Sequence, residues 1–334
     1  MSLRLITRSE DCIEKSFVTN RSRYKFKFLI KLKFTRTDIY ILFIGLLITT
    51  TSIAQQTSNF WVKSDTLNKS RRNALIIGET TAAGLTLVAL DRLWYADYPR
   101  SGFHFTNDNN QWLQMDKVGH VMSTYYVGLV GMELLDWAGV SKKNQLIYGA
   151  TAGFTFATAV EVLDGFSDEW GFSWGDFAAN AAGPGLLIGQ ELLWQEQRIT
   201  LKYSFHRTDF AKVRPETLGS GLLEEAFKDY NGQTYWLSAN IWSFAKESNF
   251  PKWLNVAFGY GAEGMLYGEN LPTNQFNQNP YRQFYLSFDI DLVKIPTKSK
   301  FLKSVFSVIN FIKIPAPTLE FRSKGGIKFH YLYF

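Results

Sequence analysis

Residues 111–183 read QWLQMDKVGHVMSTYYVGLVGMELLDWAGVSKKNQLIYGATAGFTFATAVEVLDGFSDEWGFSWGDFAANAAG. They form three apolar segments of helical length, and each carries ionisable residues where a plain core would carry none. The first holds Asp116, Lys117 and His120. The second, after Lys143, places Gly149, Gly153, Ala157 and Glu161 at intervals of four and ends in Asp164-Gly165. The third opens with Ser173-Trp-Gly-Asp176 and runs through Asn180 to Gly183. Residues four apart lie on one helix face, so Asp116 stacks on His120 and Asp176 on Asn180. Asp116, Lys117, His120, Glu161, Asp164, Asp176 and Asn180 are therefore the candidate site.

Outward from this stretch, the spacing predicts helices over Asn73–Tyr95, Gln111–Trp137, Lys142–Leu163 and Ser173–Trp194. Four such helices on short loops are expected to pack as an antiparallel bundle. The Gly149, Gly153, Ala157 stripe lets a neighbouring backbone come close. From Arg198 the period changes to two, with aromatics, over Ile199–Phe205, Tyr235–Phe244, Trp253–Tyr260, Phe284–Leu292 and Gly326–Phe334. That alternation reads as strands, five or six in number, with a short amphipathic helix over Phe301–Ile312. The expected fold is α+β: a four-helix antiparallel bundle over 55–197, then an antiparallel, aromatic-rich β-sheet or partial barrel over 198–334. A terminal aromatic, Phe334, closing an alternating strand resembles outer-membrane barrel proteins, although those have at least eight strands.

The amino terminus has the order of a secretory signal peptide over residues 1–54. Lys31, Lys33 and Arg36 precede an apolar run from Ile39 to Ile48, and Ser52-Ile-Ala54 supplies small residues for cleavage. The run is short of the ~20 residues an anchor helix needs, so cleavage after Ala54 is expected over retention. Those 54 residues hold ten Lys/Arg and four Asp/Glu, which leaves 26 of each sign in the remainder (36 less 10, 30 less 4). The basic balance thus belongs to the leader and gives no reason to expect a nucleic-acid partner. Cys12, the one cysteine, also falls there. Gln55 stands where a lipoprotein of that kind would need cysteine. The dense aromatics, 16 % of the chain, suit an envelope protein.

Each site candidate has a structural explanation of its own. Ser173 and Asp176 have capping-box spacing, Asp116 sits in a first turn where the helix dipole favours a carboxylate, and Asp164-Gly165 ends a helix. As a set they need one another: four unpaired ionisable residues in lipid-embedded helices would cost on the order of 10 kcal/mol. Glu161 continues the small-residue stripe and so points at a neighbouring helix. His120 is its expected partner there. A metal held by His120, Asp116, Glu161 and Asp176 has acceptable ligand types, but no metal and no cofactor is expected from one histidine.

Asp116-Lys117-xx-His120, an inward Glu161, then Ser173-xx-Asp176-xxx-Asn180-xx-Gly183 is similar to the pattern of VanZ-like membrane proteins. With the leader and the Phe-Ala-Ala-Asn-Ala-Ala-Gly ending, it more closely resembles the YfiM-like family of uncharacterised periplasmic or outer-membrane proteins. The resemblance spans roughly Asp116 to Gln190; it implies a location and a site but no chemistry, and YfiM-like members are often lipoproteins, from which Gln55 departs. The expectation is an outer-membrane-associated envelope protein, on that membrane or its periplasmic face, with a polar pocket for a lipid or envelope-glycan head group. An envelope protein is a further expected partner. One alternative is a membrane-associated hydrolase or transferase, His120 being general base or acid, Asp116 or Glu161 orienting it and Lys117 stabilising an anion. Another is a scaffold without a ligand.

Overall fold

Asn68 begins the helical half by accepting a hydrogen bond from Arg71 N (3.0 Å), which satisfies a donor at the start of α1 (Lys69–Leu93). The computed structural model describes residue 60 and residues 62–93, 95–268 and 279–334; the expected leader, Cys12 and the Ala54 cleavage position lie outside them. Three more long helices follow: α2 (Met115–Trp137), α3 (Ala152–Asp164) and α4 (Trp174–Trp194). Gly139, at φ 72°, ends α2 by passing into the left-handed region, and a Cβ there would lie 2.2 Å from the Thr66 carbonyl oxygen.

The small-residue stripe does what its spacing implies. A Cβ on Gly153 would stand 2.5 Å from the Thr124 carbonyl oxygen, and one on Gly149 would stand 2.7 Å from Met132 N. The α3 backbone therefore lies directly on α2, and a π-helical turn over Gln145–Gly149 leads into it. Tyr125, Met132, Ala150 and Leu187 fill the core among α2, α3 and α4. The packing does not show a clear four-helix bundle. α1 stands largely apart, with Ile76, Ile77, Leu85 and Val88 exposed. Lys69–Arg92 and Lys142–Asp164 are each long and apolar enough to cross a membrane by length and composition. The second packs on α2 and α4 along one side and is 22 % buried over its apolar span.

A two-residue parallel pair, β1 (Phe105–Thr106) with β2 (Phe172–Ser173), ties the loop before α2 to the start of α4. The remainder is a six-stranded antiparallel sheet in sequence order: β3 (Ile199–Phe205), β4 (Gln233–Asn240), β5 (Leu254–Glu263), β6 (Tyr281–Ile290), β7 (Ala316–Arg322) and β8 (Ile327–Tyr333). The structure thus bears out a mixed α+β fold. Two strand boundaries differ from expectation. β4 stops at Asn240, whose Oδ1 accepts from Ser243 N (2.9 Å) and caps a helical turn. β7 escaped notice because Pro315 and Pro317 flank and interrupt it; a register irregularity between Ala316 and Thr318 lets it accommodate a residue without an N–H.

The sheet curls until Tyr333 Oη, on β8, donates to Tyr285 Oη (2.9 Å) and lies 3.0 Å from Thr234 Oγ1 on β4. On the other side β3 pairs with residues 311–313, Tyr203 N donating to the Phe311 carbonyl (2.8 Å). The enclosed face sets polar networks around a buried Trp236, Ala257 and Tyr285. Lys202 Nζ lies 2.9 Å from Asp289 Oδ2, both side chains wholly buried, and Ser238 Oγ donates to the same carboxylate (2.6 Å). Farther along, Glu320 accepts from Arg322 Nε (2.5 Å) and Gln283 Nε2 (3.0 Å) and meets His330 Nε2 at 2.7 Å.

Candidate functional site: a carboxylate cluster around Lys117 and His120

The entry to α2 is backbone under constraint. Trp112, Leu113 and Gln114 are successive left-handed residues (φ 49°, 49° and 65°), each costing about 1–2 kcal/mol for an L-residue. Long-range contacts hold them there. Trp112 N donates to the Gly268 carbonyl (2.7 Å), Tyr260 Oη donates to the Leu113 carbonyl, and Arg282 donates to Gln114 Oε1 (2.6 Å). The turn sets the first residues of α2 against the sheet, and Tyr230 Oη donates to Asp116 Oδ1 (2.7 Å).

Lys117 is the centre of charge. Its ammonium lies 2.6 Å from Asp108 Oδ2, 2.7 Å from Asp176 Oδ1 and 3.3 Å from Asp116 Oδ2, with 13 % of the side chain exposed. Burial works against the charge, but Asp116, then Asp108 and Asp176, outweigh it and raise the lysine pKa. Burial likewise opposes ionisation of Asp108, yet hydrogen bonds from Lys117 and Ser173 hold its carboxyl below the usual range.

His120 stands one turn on. Its Nδ1 donates to Asn180 Oδ1 (2.8 Å), which leaves Nε2 facing Asp176 Oδ1 (3.6 Å) and Asp116 Oδ1 (3.8 Å). Burial favours the neutral ring, but Asp116 and Asp176 prevail and its pKa is raised. Glu161 Oε1 lies 4.0 Å from His120 Nδ1, so the expected direct pair is a near neighbour instead; Asn180 has taken that nitrogen. Glu161 receives a single long hydrogen bond, from Ser173 N at 3.4 Å. Burial, then the Asp176 charge, push its carboxyl up to about 8. Burial and Asp116 push Asp176 up to about 6.

The capping reading of Ser173 and Asp176 holds by half. Ser173 Oγ accepts from Asp176 N (3.1 Å) and donates to Asp108 Oδ1 (2.6 Å), while the Asp176 carboxylate turns to Lys117 instead of back to the cap. Asp164 lies outside the knot, accepting from Tyr95 Oη (2.6 Å), and burial raises it to about 6. Asn180 is fully buried, and its Nδ2 has no hydrogen-bond partner among the described residues. Asp108, Tyr95 and Tyr230 were not candidates from sequence. Asp108 sat in an Asn-rich loop that read as a turn, and nothing local marked either tyrosine.

This arrangement limits the chemistry. Lys117 is already neutralised by three carboxylates, so it cannot also stabilise an anionic group. Asp116, His120 and Asp176 have ligand-type atoms within 4.8 Å of one another, as a metal site requires. Asp176 Oδ1 lies 2.7 Å from the Lys117 ammonium, so a metal ion there would compete with Lys117 for that carboxylate. The cluster meets solvent at Asp116 and His120, whose side chains keep 28 % and 27 % exposure. Cavities of about 470 Å³, beside Val293–Lys303, and about 170 Å³, beside Val213 and Tyr267, both lie elsewhere.

The fold and the cluster describe an α+β protein with a buried charge knot between helices and sheet. Residues 102–188 match the model of a family described as predicted periplasmic lipoprotein (DUF2279). The match covers about a quarter of the 334-residue chain and contains the whole cluster except Tyr230 and Tyr95. It supports an uncharacterised periplasmic family and is consistent with the cell envelope. No curated protein and no solved structure matches.

Proposed function

We propose that the chain is an outer-membrane-associated envelope protein whose carboxylate cluster binds the cationic part of a lipid or glycan head group. One observation carries this reading. Among the described residues Asp108, Asp116, Asp176 and Glu161 face two cations, Lys117 and His120, and Lys117 is locked among three of them. Even with Glu161 protonated, an acceptor surplus is left at the part-exposed Asp116–His120 rim, where an ammonium group would be attracted. Titration of the purified chain with dihexanoyl phosphatidylethanolamine, followed by calorimetry, tests it. Binding that Asp116→Asn weakens is expected. Preference for an amine-free anionic analogue, or no heat at all, would overturn it. For location, recovery of tagged chain in the soluble periplasm after a low-salt wash would refute membrane association.

A second reading has its own support. The Asn180 hydrogen bond orients His120 and leaves Nε2 without a short partner, which is the geometry of a general acid or base. Turnover of a lipid-linked substrate that disappears in His120→Gln would favour it over simple binding.

A further inference from the structure

The six-stranded sheet has its polarity reversed. Along β6, Gln283, Tyr285, Ser287 and Asp289 are buried while Phe284, Leu286 and Phe288 between them are exposed. A water-facing sheet presents polar residues outward and packs apolar ones within. Here the enclosed face holds the Lys202–Asp289 and Glu320 networks around Trp236 and Tyr285, and the outer face carries the exposed apolar side chains. Across it, Leu237, Phe258, Phe284, Phe288, Phe321 and Phe329 are all more than a third exposed. Registers Leu237↔Phe258, Phe258↔Leu286 and Leu286↔Leu319 join them into one continuous surface, far larger than single scattered apolar residues. The helices cover its β3 side, where α2 meets Leu201 and Tyr235, and the entry to α2 also packs on Tyr260 of β5.

The chain that follows β6 is basic. Between β6 and β7 the chain forms α5 (Lys300–Ile309), an amphipathic helix whose Phe301 and Val308 are 75 % and 71 % exposed. Lys300 and Lys303 lie on it, and Lys294, Lys298 and Lys303 line the 470 Å³ depression beside it. Asn310 fixes the helix to the sheet by accepting from Leu292 N (2.8 Å). An apolar sheet face in a chain that also carries lysines on an exposed amphipathic helix has the composition that lies at a bilayer interface and attracts anionic head groups.

We propose that this outer face of β4–β8 lies against the acyl chains of a membrane, with the α5 lysines on its anionic head groups. The inference rests on the envelope placement above and adds the surface that makes the contact. A second copy of the chain could cover an apolar face but offers nothing to the exposed α5 lysines, whereas anionic lipid complements both.

The full chain carrying Cys12→Ser and Phe258→Cys, labelled at 258 with an environment-sensitive fluorophore, is floated with 3:1 phosphatidylethanolamine–phosphatidylglycerol vesicles or with phosphatidylcholine vesicles. Flotation with the anionic vesicles and a blue shift of the label are expected. Neutralising Lys300 and Lys303 to Gln should weaken partitioning on the order of fivefold for each lysine at low salt. Phe258→Asn with Phe288→Asn, both at exposed positions, should abolish flotation while circular dichroism and the melting curve stay native. A chain left at the bottom of the gradient, a label that stays water-like on floated vesicles, or a blue shift without lipid accompanied by dimer mass would each overturn the proposal. Phe258→Asn with Phe288→Asn should leave the dihexanoyl phosphatidylethanolamine titration unchanged, which separates this surface from the head-group site.

Discussion

Replacing Glu161 by Gln is expected to stabilise the protein above neutrality and to change it little near pH 5. The side chain is 3 % exposed, accepts one long hydrogen bond and has no cation in direct contact, since His120 Nδ1 is spent on Asn180. Burial, then Asp176, raise its carboxyl to about 8, against about 4.3 for glutamate in an unfolded chain. Below the unfolded value both states hold the proton and nothing is lost. As pH climbs between the two values, only the unfolded chain releases it, so folding weakens by up to about 1.4 kcal/mol per pH unit. Above about 8 the loss levels off. Coupling to Asp176 and His120 spreads the transition, which puts the total on the order of 2–4 kcal/mol. Gln keeps the shape and cannot ionise. Urea unfolding from about pH 5 to 9, read by tryptophan fluorescence, should show variant and parent diverging across that window. Parallel curves would refute the assignment of a neutral, buried Glu161. A variant weaker by a constant ~3 kcal/mol or more would show instead an ionised glutamate paired with His120.

Four further outcomes follow from the geometry. Lys117→Met should cost about 3–5 kcal/mol in urea unfolding, because three carboxylates lose their common cation. Gly153→Ala should lower stability by about 1–3 kcal/mol by thermal melting, since its Cβ would meet the Thr124 backbone. In double-mutant cycles, His120 should couple more strongly to Asn180, at 2.8 Å, than to Glu161, at 4.0 Å; equal couplings would count against the hydrogen-bond assignment. Inside the sheet, Lys202→Met should destabilise strongly, and adding Asp289→Leu should recover most of the loss, as refolding yield and melting temperature would show.

Helix and strand existence was legible because each has its own period. The four long helices and five of six strands fall where spacing places them, and the Gly149–Gly153 stripe marked a close backbone approach, which the structure places on α2. Burial of Glu161 followed from its place at the end of that stripe. β7 was illegible because two prolines break the alternation that marks a strand.

The sequence alone determined which residues share a face, since 3.6-residue and two-residue periods are properties of the local backbone. It therefore paired Asp116 with His120 and Asp176 with Asn180, and separated helical from strand regions. Only the tertiary structure decided that Asp108 and Tyr230, nine and 114 residues from their partners, close the cluster. It also decided that Asn180 and not Glu161 holds His120, and that the apolar face of the sheet points outward. An alternating strand carries no mark of which face is enclosed, because inversion leaves the period unchanged. That choice is made by the curl of the whole sheet around its buried ion pairs.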